Sequence, residues 1–301
     1  MTADPTAYPI DVDRYRNGDH SWLDELDRLA VHAGAPHQRM GTRGIDPATW
    51  LQVDDHYDEE VALRRRLVAS AGDAVYLARP DSHTAGREAA LLVRDWLGRH
   101  HPHALSGWNE QPDDPLLAAG TVIQEDLCVM QKRGDHWYLT AGLVCFPTHW
   151  NLGEKFDRPQ EAIHEPVPHY AEELASKVSM FFDRLGPERV VSRRNWAFAA
   201  HPLLYLPLRT DLATAAVDGP ESIWFRSERQ TLRRLVVSDA VLFTIKVQQA
   251  PVTALATRPD LCRRLLESLR SFSPEMTNAR SSSKVWMAEI EGWLAQVIEG
   301  S

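Results

Sequence analysis

The spacing of apolar residues predicts helices at both ends of the chain and strands between them. Leu23, Leu26 and Leu29–Ala30 recur at helical spacing behind Ser21, a candidate cap. Glu59–Ala71 repeats the pattern with Val61, Leu63, Leu67 and Val68, and Arg87–His100 with Leu91, Leu92 and Trp96. His100 to Pro115 is broken by Pro and Gly and reads as loop. Thr121–Lys132 and His136–Pro147 then turn to β-formers around Arg133-Gly134-Asp135, a hairpin signal. Tyr170–Leu185 is an amphipathic helix stopped by Gly186-Pro187. Arg189–Ala199, Ile223–Leu232 and Ala240–Gln248 are three more strands, and Pro259–Ser271 and Ser283–Ile298 are closing helices. Strands in two groups around a helical insert predict an α+β fold with a mostly antiparallel sheet, not alternating βαβ units. The expected organisation is one domain over 1–301: a helical part (1–115), a sheet core (116–250) and C-terminal helices (251–301).

Alternation along the strands also sets charges among apolar neighbours. Glu125 shares a face with Ile123, Leu127 and Val129, Arg194 with Val190, Trp196 and Phe198, and Arg226 and Glu228 with Trp224 and Leu232. Buried charges are costly unless paired, so such residues pair with one another or face a ligand. A one-residue slip of register would return them to water.

Composition narrows the field. Lys+Arg 33 against Asp+Glu 42 gives a net charge of −9, which disfavours nucleic acid and anionic membranes as partners. The three cysteines are scattered without a CxxC, so a zinc site or an iron–sulfur cluster held by this chain alone is not expected. Neither a GxGxxG nor a GxxxxGK[ST] loop follows a strand. The N-terminus has no basic and apolar leader, and no apolar run reaches membrane-spanning length, so a soluble, cytoplasmic protein is expected. Of 13 histidines, His100, His101 and His103 cluster in a Pro-broken loop without fixed ligand spacing. His164 and His169 flank EPVP, whose prolines stiffen the backbone near His164.

Ordered strings go further than spacing. VIQEDLCVMQ (Val122–Gln131), AGLVCFPTHWNLGEK (Ala141–Lys155), IHEPVPHY (Ile163–Tyr170), RRNWAF (Arg193–Phe198), FRSERQTLRRL (Phe225–Leu235) and VLFTIKV (Val241–Val247) follow in sequence. Together they closely resemble the haem-binding alpha subunit of the haem-dependent oxidative N-demethylase family, long catalogued as a domain of unknown function. The resemblance implies a PAS-like fold, haem b bound in this chain, and oxidation by O2 of a small secondary amine such as dimethylamine. The imine formed hydrolyses to a shorter amine and formaldehyde. Electrons from NADPH would arrive through a flavin and iron–sulfur reductase, with FMN, a [2Fe–2S] cluster and tetrahydrofolate on partner subunits.

By the same resemblance, His164 is the proximal iron ligand, its other ring nitrogen donating to a carbonyl or carboxylate. Arg226, Glu228 and Arg229 form the charged oxygen site, with Glu125 and Arg194 as pairing partners. Glu228 or Glu125 would hold the amine N–H, and Arg226 or Arg229 would stabilise negative charge on oxygen. Trp150, Lys155, Arg193 and Trp196 would serve the propionates or pack on the macrocycle. The competing reading is a haem PAS sensor of a diatomic gas, since PAS sheets host sensors more often than enzymes; a haem-free structural subunit is a third.

Overall fold

The computed structural model describes residues 3–28, 41–109, 114–164, 174–207, 217–274 and 287–301. The expected Leu29–Ala30, Tyr170, Ser283, Pro166, Pro168 and His169 lie outside the described residues.

The N-terminal part contains α1 (Val12–Asn17), a 3₁₀ helix over Ser21–Arg28, β1 (Arg43–Ile45), α2 (Tyr57–Ala71), β2 (Tyr76–Ala78), α3 (His83–His100) and α4 (Pro115–Gly120). A hairpin follows, β3 (Asp126–Arg133) and β4 (His136–Leu143). Its turn has Gly134 at φ +59 as the first of two central residues, where a side chain would be strained. Three short helices come next: α5 (Leu152–Lys155), α6 (Gln160–Ile163) and α7 (Ala175–Arg184). Then β5 (Val190–Ala199), β6 (Trp224–Arg234) and β7 (Val241–Pro251) run as an antiparallel meander. Helices α8 (Pro259–Arg270) and α9 (Met287–Glu299) follow.

All seven strands form one antiparallel sheet in the order β1-β5-β6-β7-β3-β4-β2. The fold is therefore α+β, with flanking helices, as the sequence predicts. The first long strand, β3, pairs with the last, β7, so strands distant in sequence share the sheet's centre. Helices α3, α8 and α9 cover one face, where Trp50, Leu127, Val129, Trp196 and Phe225 are buried. The short helices α5–α7 lie on the other, against Cys128, Met130, Val191 and Leu232.

Glu125 departs from its expected place. The strand begins at Asp126, not Thr121, and Thr121–Glu125 is a tight bend. Gln124 and Glu125 turn inward to hold the segment before α2: Asp54 N donates to Gln124 Oε1 (3.1 Å) and Gln52 N to Glu125 Oε1 (2.9 Å). Asp126 opens the strand as the partner of Arg64 on α2, at 2.7 Å with both side chains out of water. Its carboxylate also accepts from Cys145 N (2.7 Å) and Phe146 N (3.1 Å), tying α2, β3 and the chain after β4 together. The three cysteines are free thiols and all buried.

Candidate functional site

The segment carrying His164 is short, irregular and pinned. Asn151 Oδ1 caps α5 by accepting from Gly153 N (2.8 Å), and Leu152 is buried beneath it. Asp157 adopts φ +56, a left-handed turn that Arg79 (2.7 Å) and Arg133 (2.6 Å) stabilise by pairing with its carboxylate. Backbone bonds between Leu139 and both Asp157 and Arg158 then lay the segment along β4. Gln160 is buried on α6 and donates to Ala175 O (3.1 Å), which joins α6 to the start of α7.

His164 sits at the C-cap of α6, its Nδ1 2.8 Å from Gln160 O. A carbonyl only accepts, so Nδ1 carries the proton and Nε2 the lone pair. Burial lowers the imidazole's pKa to about 4, Lys155 and Arg193 add to the effect, and the Gln160 carbonyl opposes it. The ring is neutral at pH 7. Lys155 Nζ lies 4.4 Å from the Trp150 ring centroid, and Trp150 packs on the apolar cluster shared by Ile163, Val191 and Phe243.

Strand register places more groups on that face. Arg193 is paired with Gln230 and Asn195 with Glu228, so these four side chains share it with Val191 and Leu232. Glu228 Oε2 accepts from Gln230 Nε2 (2.8 Å) and Asn195 Nδ2 (3.3 Å). Glu228 and Gln230 are each only 8% exposed, and Gln230 Oε1 has no partner. Phe243, on the central strand β7, is only partly buried. Asn195 and Gln230 stand two residues from Arg193 and Glu228, so strand alternation alone is enough to put them on the same face.

The remaining expected residues lie apart. Arg226 has the parity of Glu228 but is fully buried, donating to Leu203 O (2.7 Å), Leu204 O (3.1 Å) and Gln249 Oε1 (2.8 Å). Burial lowers its pKa to about 10. Arg229 points through the opposite face and clamps Thr49 O and Trp50 O. Arg194 is on that face too, bonded to Gln248 (2.8 Å), Ser227 (3.2 Å) and Glu25. Trp196 packs there against Phe225 and Phe272. Glu125 is buried with Oε2 unpartnered, and burial raises its pKa.

A second polar cluster has no sequence signature at all. Glu60 accepts from Tyr15 OH (2.9 Å) and from Gln124 Nε2 (2.8 Å), while Lys246 pairs with Asp54 (2.8 Å). Tyr15, Asp54 and Glu60 line a cleft of about 580 Å³. Burial pushes the Glu60 carboxyl up to about 8, so the folded protein holds a proton there that an unfolded chain releases near 4.5. Its contribution to stability is complete below pH 4.5 and is lost as pH rises to about 8. Glu60→Gln should therefore gain on the wild type between those limits, by about 1.4 kcal/mol per pH decade at most. Urea midpoints of both proteins at about pH 5 and about pH 8.5 measure this; a constant difference would mean that Glu60 is ionised when folded.

A neutral imidazole of set tautomer, two cations and an apolar floor on one sheet face are groups that suit a flat, anionic prosthetic group. The chain belongs to the family described as haem-dependent oxidative N-demethylase, alpha subunit-like, whose model matches residues 41–111 and 103–288. The family's description names haem, an oxidative reaction and an alpha subunit. Among the described residues no helix is long and apolar enough to cross a membrane.

Proposed function

We propose that the chain, as one unit over 1–301, binds haem b through His164 and oxidatively demethylates a small secondary amine. The observation that carries this is the His164–Gln160 hydrogen bond, which aims the ring's lone pair at Nε2 while burial keeps the ring unprotonated. Lys155 and Arg193 would take the propionates, with Trp150 and Phe243 against the macrocycle. The pairing of β3 with β7 at the centre of the sheet supports the PAS-like reading.

Bound haem would supply the O2 and electron chemistry. Glu228 is the chain's candidate for holding the amine: its carboxylate accepts a hydrogen bond from the N–H and takes up that proton, while the C–H hydrogen would leave with its two electrons to O2. Asn195 and Gln230 orient it through Oε2. The unpartnered Gln230 Oε1 offers one further acceptor on the same face. The imine leaves for hydrolysis to the shorter amine and formaldehyde. Arg226, Arg229, Arg194, Trp196 and Glu125 take structural roles in this reading, since each is engaged with backbone, core or a segment away from His164. NADPH, FMN, the [2Fe–2S] cluster and tetrahydrofolate belong to partner subunits, and the site of action is the cytoplasm.

The test is an absorption spectrum after haem reconstitution, followed by dimethylamine turnover in wild type and Glu228→Gln with NADPH and a flavin reductase as the electron source. A Soret band in both, with turnover reduced about 100-fold or more in the variant, is expected. No Soret band in the wild type overturns the cofactor; undiminished turnover in the variant removes Glu228.

A further inference from the structure

One edge of the molecule carries an unusual concentration of positive charge for a chain of net charge −9. Between β1, the start of β5 and α7 lies a cleft of about 380 Å³. Arg43, Lys177, Arg184 and Arg189 line it, and it contains no carboxylate among its lining residues. All four are exposed. None is ion-paired among the described residues, whereas exposed Arg99 and Lys132 each pair with an aspartate. Met180, 47% exposed, stands on the same helix face.

We infer that this edge docks the acidic face of an electron-donating protein. The inference rests on the proposed function, in which electrons reach the chain from a partner. Lys177, Met180, Phe181 and Arg184 follow one another at i, i+3, i+4 and i+7, so they form a stripe along α7. At 1.5 Å per residue, Lys177 and Arg184 stand roughly 10 Å apart along the helix. Four cations spread over α7, β1 and the turn before β5 suit several carboxylates on a protein surface. An apolar residue ringed by uncompensated charge fits an interface whose rim steers the encounter.

Location supports the same occupant. Leu185 and Val191 line the cleft and also belong to the apolar cluster that holds Trp150, Ile163 and Phe243 beside His164. Leu185 and Val191 thus join the docking edge to the apolar cluster beside His164.

Flavodoxin, a small acidic FMN protein, is the probe. Its binding to the haem-reconstituted chain is measured by calorimetry, and reduction of the chain by its hydroquinone by stopped flow, at low and moderate salt. The variants are Lys177→Glu/Arg184→Glu/Arg189→Glu and the neutral Lys177→Gln/Arg184→Gln/Arg189→Gln. The expected result is binding weakened about tenfold or more by the acidic triple change, less by the neutral one, with the salt dependence of both binding and rate diminished. Soret absorbance and reduction by dithionite should match the wild type. Wild-type binding and rate in both variants would overturn the proposal. So would pyrophosphate bound stoichiometrically at this edge without flavodoxin binding, or a dimer of this chain that the variants dissolve. A missing Soret band would count against the haem reading alone, because calorimetric docking does not require haem.

Discussion

His164→Ala should lose most of its haem, with Soret absorbance per chain falling about tenfold or more. The imidazole lies at the end of α6, where its protonated nitrogen is spent on Gln160 O and the other carries the lone pair. Alanine removes the ligand and leaves the backbone carbonyl in place, so the helix itself loses only one side-chain hydrogen bond. The circular dichroism spectrum should therefore be unchanged. Added imidazole should restore a Soret band to the variant if the cavity is intact. An unaltered band in His164→Ala, with no imidazole present, would place the iron on another residue.

The second large effect concerns stability. Asp126→Ala should cost about 3–5 kcal/mol, because it strands the Arg64 guanidinium in the interior. It also deprives Cys145 N and Phe146 N of their acceptor. Against a typical total of about 5–15 kcal/mol, that loss should move the urea midpoint sharply. The double change Arg64→Met/Asp126→Leu removes both charges and should recover part of the loss, since burying two ions is itself expensive. A cost below about 1 kcal/mol for Asp126→Ala would mean that water reaches the pair.

The long strands were legible because eight to eleven alternating or β-rich residues outweigh any single exception. Strands β1 and β2 were not, since three residues carry no period. Alternation also misled at Glu125. Strands β3, β6 and β7 are buried on both faces along most of their length, so burial there does not alternate. The polar groups they carry are satisfied by loops that no local pattern announces: Thr49 and Trp50 for Arg229, Leu203 and Leu204 for Arg226. Parity alone, however, separates Arg226 and Glu228 from Arg229, and that much of FRSERQ could be read directly. His164, Lys155 and Trp150 came from ordered strings; their convergence with Arg193 depends on a return from β4 to β5 across the sheet. Tyr15, Asp54, Glu60, Gln124 and Lys246 meet only in three dimensions, and nothing in their spacing links them.

The buried cysteines have a practical consequence. Burial pushes the Cys145 thiol up to about 12 and the Cys262 thiol up to about 11, and raises Cys128 as well. At neutral pH almost none of the three is thiolate, the form that reacts with maleimides and disulfides. A single cysteine introduced at exposed Met180 would then be the reactive thiol, ready to carry a fluorophore or spin label with the native three left in place.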